Sequence, residues 1–355
     1  MSVSERTVVL AASPPPADVH DVALLDLDGV VYVGPDAVPG AAEAVAAAAA
    51  RRLHCVYVTN NASRPPEKVG AHLRELGIPA EDSDVVTSAQ LAAGILATRL
   101  SPGAPVLVVG GEGLVEALSA ENLRPVRSMD DDPRAVVQGF GPDVGWRDLA
   151  EGARAVRAGL YWVASNLDLT VPTPHGPAPG NGSLVNAVAA AGGRGPDAVA
   201  GKPEARAFRD AAARAGSKRP IAVGDRLDTD LEGARAAGMP GLLVLTGITG
   251  ISELLRCPHR ARPDLVGRDL AALLVAHPEA FVEGGLGRCE GAAVVVRDGA
   301  LVVDEPGEDA LDLLRAACAA AWSLPASAPG GEVAVDPGLV VTAARSLEPG
   351  AAWAR

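Results

Sequence analysis

Four short stretches of the chain combine residue types that could move a phosphoryl group. Asp26-Leu27-Asp28-Gly29 follows directly on the apolar run VALL. Carboxylates two residues apart share one face of a strand, and side chains at the carboxyl end of a parallel strand point into the crevice where such sheets bind ligands. One acid can then attack phosphorus while the other handles protons, with a divalent cation offsetting their repulsion. The glycine permits a sharp backbone turn behind them.

Thr59-Asn60-Asn61 ends a second apolar run, LHCVYVT. A hydroxyl and successive backbone amides entering a helix can cradle a phosphate oxygen, although Thr and Asn are equally the residues that cap helices. Gly201-Lys202-Pro203 precedes a helical segment, and one of only three lysines in the chain stands there. A helix N-terminus repels a cation, so this placement asks for an anionic partner. Gly224-Asp225-Arg226-Leu227-Asp228-Thr229-Asp230 puts three acids within six residues after the run IAV. Such oxygen ligands suit Mg²⁺. Complementing a helix dipole explains Asp228 or Asp230 as well, but explains Asp225, still at the strand tip, less well.

A sheet must hold these stretches together. VALL and LHCVYVT read as buried parallel strands, with a helix over 40–51 between them. Pro65-Pro66 opens another, with Val69, Leu73 and Leu76 on one face. From 85 to 185 the alternation continues in a self-contained block, with strands at 105–110, 135–140 and 160–165 and helices at 87–99, 112–120 and 146–158. A Pro- and Gly-rich stretch, 171–182, closes it. DAVAGKP, PIAVGDR and PGLLVLTG then add three core strands, separated by helices at 204–215 and 229–237. The expected fold is α/β: a doubly wound, Rossmann-like parallel core interrupted by an α/β insertion. Residues 1–20 read as a flexible leader. Beyond 278 a hairpin turning at Asp298-Gly299, a helix over 309–324 and a linker at 327–331 suggest a small separate α+β module.

Composition narrows the partners. The 355 residues carry a net charge of −13, 48% hydrophobic and 21% charged residues, which describes a globular protein and argues against a nucleic-acid surface. Cys55, Cys257, Cys289 and Cys318 form neither a zinc pattern nor a disulfide framework. The Ala-rich stretch at 41–50 is too short to span a bilayer, and the first twenty residues lack the pattern of a signal peptide. The expected setting is the reducing cytoplasm, without membrane insertion, and a homodimer is compatible with the sequence. His54, Cys55, Trp146 and Trp162 read as packing residues, and His175 as a solvated loop residue.

The four stretches together resemble the haloacid dehalogenase (HAD) superfamily of phosphohydrolases. DLDGVVY, VTNNASR, GKP and GDRLDTD, with ASNLDLTVP and PGNGSLV, look like its NagD-type, para-nitrophenylphosphatase-like branch, over about residues 20–270. The resemblance implies a core at 20–84 and 186–275 with a cap at 85–185. It makes Asp26 the nucleophile, and Asp28 the proton carrier whose carbonyl joins the Mg²⁺ shell with Asp26 and Asp225. Asp230 stands behind them. Thr59, Asn60 and Asn61 hold phosphate oxygens, and Lys202 stabilises their charge. The length and the 278–355 extension look like actinobacterial glycerol-3-phosphate phosphatases, whose extension is similar to a GCN5-related acetyltransferase (GNAT-like) fold. That extension lacks a pyrophosphate-binding loop here, which points to docking or stabilisation. The implied substrate is a small phosphorylated metabolite, glycerol 3-phosphate first, with 2-phosphoglycolate, a nucleotide or a sugar phosphate as alternatives. A phospho-accepting signalling module also combines acids, Thr and Lys on such a sheet, but the paired DxD and the hundred-residue insertion speak against it. A catalytically silent binding protein would not need every acid of the mechanism.

Overall fold

Val22–Leu25 is a strand with all four side chains buried, as an uninterrupted apolar run requires when both faces of a parallel sheet are covered. The computed structural model describes residues 6–171, 173 and 175–324. The chain folds as two compact units, Met1–Cys55 with Ser217–Arg355, and Val56–Gly216.

In the first unit Val22–Leu25 lies beside Pro220–Gly224, followed outward by Gly241–Val244 and Leu265–Gly267, all parallel. The strand His54–Thr59 begins in this unit, where the His54 amide donates to the Asp21 carbonyl at 3.0 Å. A second, antiparallel sheet runs in the order Thr7–Leu10, Ala280–Glu283, Leu286–Cys289, Ala292–Arg297, Ala300–Pro306. Its last hairpin turns at Asp298-Gly299, both with positive φ (50° and 80°), as that dipeptide predicts. The helix Ala310–Trp322 covers this sheet. It comes so close that a Cβ on Gly287 would lie 2.2 Å from the Ala316 carbonyl, which explains the run of alanines on the helix.

Within the flexible leader expected at 1–20, the described residues are built into the fold. Thr7–Leu10 is an edge strand paired with Ala280–Glu283, Ser13 and His277 exchange backbone hydrogen bonds of 3.0 and 2.8 Å, and Pro16–Val19 forms a helical turn. A four-residue strand whose partner lies some 270 positions away leaves no local periodicity to read. The linker expected at 327–331 lies outside the described residues.

In the second unit a five-stranded parallel sheet has the order Ala198–Val199, Tyr161–Ala164, Ala135–Gln138, Pro105–Val109, Arg124–Val126. Trp146–Arg157 and Asn181–Gly192 pack together, and Trp162, Val185 and Val188 share one core cluster with Val136 and Val156. The strand ahead of Lys202 therefore belongs to this sheet, paired with Tyr161–Ala164, and not to the core strands among which the sequence reading placed it. Two of the expected packing residues face water. Trp146 is 80% exposed at the first position of its helix, and His54 is exposed at the first position of its strand, whereas Cys55 and Trp162 are buried.

The four cysteines are free and buried. Burial pushes the Cys257 thiol up to about 11 and Cys289 to about 12, so neither is a reactive thiolate at neutral pH. Among the described residues no helix is long and apolar enough to cross a membrane.

Candidate active site

The first cluster is acidic and lies in the first unit. Asp26 leaves the Val22–Leu25 strand with its amide donating to the Val223 carbonyl at 2.9 Å. Asp225 leaves the neighbouring parallel strand, in which Val223 is paired with Leu25. Two adjacent strands thus deliver one carboxylate each at the same end. Asp230 joins them through a single π-helical turn, Leu227–Leu231, the kind of i→i+5 turn that recurs at functional sites. One ligand atom from each of Asp26, Asp225 and Asp230 lies within 4.8 Å of the others. Asp225 and Asp230 are each 2% exposed and Asp26 is half-buried.

Asp225 is enclosed by backbone. Its Oδ2 accepts from the Ile248 amide at 2.8 Å. A Cβ on Gly247 would stand 1.8 Å from that oxygen and one on Gly29 2.5 Å. Gly29 also has φ +82°, so both its conformation and its surroundings exclude a side chain. Asp230 Oδ2 accepts from the Arg226 amide at 3.1 Å. Asp28 is exposed and its carboxylate is not in the trio. The chain turns sharply there, with the Leu27 carbonyl accepting from the amides of Val30, Val31 and Tyr32.

Asp228 points away. It is bound through both oxygens by Arg226, at 3.0 and 2.8 Å. Partial burial raises its pKa, but the hydrogen bonds and charge of Arg226 outweigh that and hold it below the usual carboxylate value. Of the three acids in GDRLDTD, one is neutralised at the surface and two converge inward. Three clustered carboxylates, two of them buried, repel one another unless a cation sits among them. Carboxylate oxygens are the donors that hard divalent cations take, so the trio fits a metal.

The second cluster lies in the second unit. Thr59, buried at the end of its strand, accepts from the Asn61 amide at 3.1 Å. Asn61 is exposed, and its Oδ1 accepts from the Ser63 amide and hydroxyl, each at 2.8 Å. Its side-chain oxygen therefore builds the turn. Asn60 is brought directly onto Lys202: the Lys202 amide donates to Asn60 Oδ1 at 2.8 Å, and Asn60 Nδ2 donates to the Lys202 carbonyl at 3.1 Å. Lys202 is 4% exposed. Four residues to which the sequence reading gave no role complete this network, three of them within the segments ASNLDLTVP and PGNGSLV. Asp168 Oδ2 accepts from Asn60 Nδ2 at 2.9 Å. Ser88 Oγ and Asn166 Nδ2 both donate to the Asn60 carbonyl, at 2.6 and 2.7 Å, and Asn181 Nδ2 donates to the Asn166 carbonyl at 2.7 Å. The polar run that follows the Tyr161–Ala164 strand was the available signal.

A carboxylate trio at the ends of parallel strands, one member closely framed by glycines, is a candidate divalent-cation site in an α/β fold. Residues 23–124 match the haloacid dehalogenase-like hydrolase family, 199–273 a HAD-hydrolase-like family and 289–347 a GCN5-related N-acetyltransferase like domain. The D-glycerol 3-phosphate phosphatase of Mycobacterium tuberculosis is 45% identical over 86% of this chain and 87% of its own. Crystal structures of the glycerol phosphate phosphatase from that organism, in complex with calcium and with magnesium, superpose with TM-scores of 0.83 and 0.81 at 41% identity. They cover 94% of this chain and 98% and 99% of theirs. A 4-nitrophenylphosphatase from Thermotoga maritima gives a TM-score of 0.68 at 29% identity, over 73% of this chain and 97% of its own. The chain belongs to the haloacid dehalogenase-like hydrolases, as a phosphatase with a GNAT-like C-terminal region.

Proposed function

We propose that this protein is a Mg²⁺-dependent phosphomonoesterase that hydrolyses glycerol 3-phosphate to glycerol and phosphate. The convergence of Asp26, Asp225 and Asp230 within 4.8 Å carries this reading. The 45% identity to an enzyme named for that substrate supports the choice of ester.

A carboxylate oxygen of Asp26 attacks phosphorus while the bond from phosphorus to the glycerol oxygen breaks, and Asp28 gives its proton to the departing alkoxide. Asp28, now a carboxylate, takes a proton from water as the water oxygen attacks phosphorus. The acyl phosphate bond breaks, and Asp26 returns as a carboxylate with inorganic phosphate released. The Thr59 hydroxyl, the Asn60 backbone amide and Lys202 hold the phosphoryl oxygens and offset their charge, and Asn61, whose amide donates to Thr59 Oγ1, shapes the turn that presents them. When bound, Mg²⁺ held by Asp26, Asp225 and the Asp28 carbonyl, with Asp230 behind them, supplies charge neutralisation for an otherwise repulsive encounter.

In this reading 20–84 and 186–275 form the catalytic core, apart from the Ala198–Val199 strand, which belongs to the sheet of Tyr161–Ala164; 85–185 is the cap that selects the alcohol, and 278–355 a docking or stabilising module. Buried free thiols suit a reducing cytoplasmic setting. The test is phosphate release, comparing kcat/KM for glycerol 3-phosphate with 2-phosphoglycolate, nucleoside monophosphates and sugar phosphates, with and without a chelator. Glycerol 3-phosphate should lead, and chelation should silence it reversibly. A preference for another ester by tenfold or more rejects the substrate, and full turnover under chelation rejects the metal.

A further inference from the structure

Asn60 is the centre of the second cluster, and its side chain has no hydrogen-bonding freedom. Its Oδ1 accepts from the Lys202 amide while Nδ2 donates to the Lys202 carbonyl. One side-chain amide thus engages both main-chain polar groups of the same residue, as a neighbouring strand would. The second proton of Nδ2 goes to Asp168 Oδ2 at 2.9 Å. Both amide protons and the amide oxygen are assigned, and Ser88 and Asn166 take the Asn60 carbonyl.

Asp168 reinforces the orientation that the Lys202 amide and carbonyl select for this side-chain amide. A carboxylate accepts hydrogen bonds and offers none at neutral pH, so it faces only the NH₂ end of Asn60. With Nδ2 anchored in this way, Oδ1 stays turned to the Lys202 amide. Asp168 is itself fixed: its amide donates to Asn166 Oδ1 at 3.1 Å, and its carbonyl accepts from the Gly182 amide at 2.8 Å. Beside Lys202, Gly201 lies so close to the same amide that a Cβ there would be 2.4 Å from Asn60 Oδ1 and 2.7 Å from the Ser165 carbonyl. The three segments come from far apart in sequence, with 108 positions between Asn60 and Asp168 and 142 between Asn60 and Lys202.

We infer that Asp168, acting through the Asn60 side chain, is a positioning residue that fixes the main chain of Lys202, so that its ammonium is preorganised for the phosphoryl charge. The inference rests on the proposed role of Lys202. An electrostatic group contributes to rate when it is already in place as charge develops, and a long, flexible lysine side chain gains most from a fixed origin. The same geometry gives Asn60 a supporting task in place of direct side-chain contact with phosphate.

The experiment is steady-state kinetics on the full-length protein with glycerol 3-phosphate and Mg²⁺. Asp168→Ala is expected to lower kcat by about tenfold or more with KM within about threefold. Asp168→Asn keeps an acceptor oxygen for Asn60 and should recover kcat to within about threefold of the parent. Because Asp168 acts through Lys202, adding Asp168→Ala to Lys202→Ala should cause no further loss. An unchanged kcat in Asp168→Ala, or a loss that multiplies with that of Lys202→Ala, overturns the inference while leaving the phosphatase reading intact. Parental turnover in Lys202→Ala instead overturns the role of Lys202 and the inference with it. Where Asp168→Ala does not fold, the isosteric Asn60→Asp places acceptors against the Lys202 carbonyl and Asp168. It must lose kcat at least as severely, and parental turnover there overturns the inference.

Discussion

Asp225 and Asp230 stand five residues apart, yet both carboxylates reach the same point as Asp26 because a π turn separates them. The amides of Asp230 and Leu231 both donate to the Arg226 carbonyl, at 3.1 and 3.2 Å. That shared acceptor widens the turn. In a regular α-helix the residue stacked above position 225 would be 228 or 229, and Asp228 is instead held at the surface by Arg226.

In the proposed mechanism Asp26 is the member of the trio that attacks phosphorus. Asp26→Asn keeps its shape and removes the nucleophilic oxygen, so phosphate release is expected to fall about 10³-fold or more. Thermal unfolding without metal should be unchanged or slightly higher, since one of three repelling carboxylates is gone. Residual turnover within tenfold of the parent would exclude a covalent route through Asp26.

Much of this arrangement was legible because the acids lie next to the strands that aim them. VALL followed by DLDG, and IAV followed by GDRLDTD, announce strand-end carboxylates within a few residues. What was illegible depends on distance or on local geometry. Asp228 and Asp230 have the same residue type and nearly the same position, and only the π turn tells them apart. The Asn60–Asp168 hydrogen bond joins residues 108 positions apart, so the polar character of each segment was visible but nothing local tied one to the other. Thr7–Leu10 failed for the same reason, as a short run given meaning only by a distant strand. Trp146 failed differently: an aromatic residue read as packing is left in water at the start of its helix.

Metal should act on folding as well as on rate. A ligand that binds only the folded state stabilises it by mass action, about 2.7 kcal/mol at a hundred times Kd. Mg²⁺ is therefore expected to raise Tm by several degrees in the parent. Asp225→Asn, which removes one charge from the buried pair, should shrink that rise and weaken the binding seen by calorimetry at least tenfold. An equal Mg²⁺-induced rise in both proteins would place the ion elsewhere.

Gly247 is a steric test of the same site. An added methyl there would lie 1.8 Å from Asp225 Oδ2 and 2.2 Å from its carboxyl carbon, so the carboxylate must move by more than an ångström. Displacements of that size at a catalytic group cost about 10²-fold. Gly247→Ala is expected to lose about that much in kcat/KM, and to need more Mg²⁺ for half-maximal rate. Parental kinetics in a folded Gly247→Ala would show that Asp225 is not held where its enclosure suggests.

His277 makes acid stability a separate matter from acid activity. It is 3% exposed, with Nε2 at 2.9 Å from the Ala272 carbonyl and Nδ1 at 3.3 Å from Arg315 Nη2. The ring is satisfied only in the neutral form, with Nε2–H donating and Nδ1 accepting. Arg315 cannot turn away, since it also donates to Asp312 and to the Val266 carbonyl, each at 2.7 Å. Burial lowers the pKa below 6.5; the hydrogen bond to Ala272 partly opposes this, and the Arg315 charge adds to the lowering. A folded-state pKa below the unfolded one means that the unfolded chain binds the proton first as pH falls. The stabilisation from neutral His277 is thus fully present above about pH 6.5 and is lost progressively below it, at no more than about 1.4 kcal/mol per pH unit for one proton. Denaturant unfolding at pH 7.5 and 5.5 should show the parent losing stability across this interval, and His277→Gln, which cannot take the proton, losing less. Equal losses in the two proteins would mean that His277 does not titrate against Arg315 in the folded state.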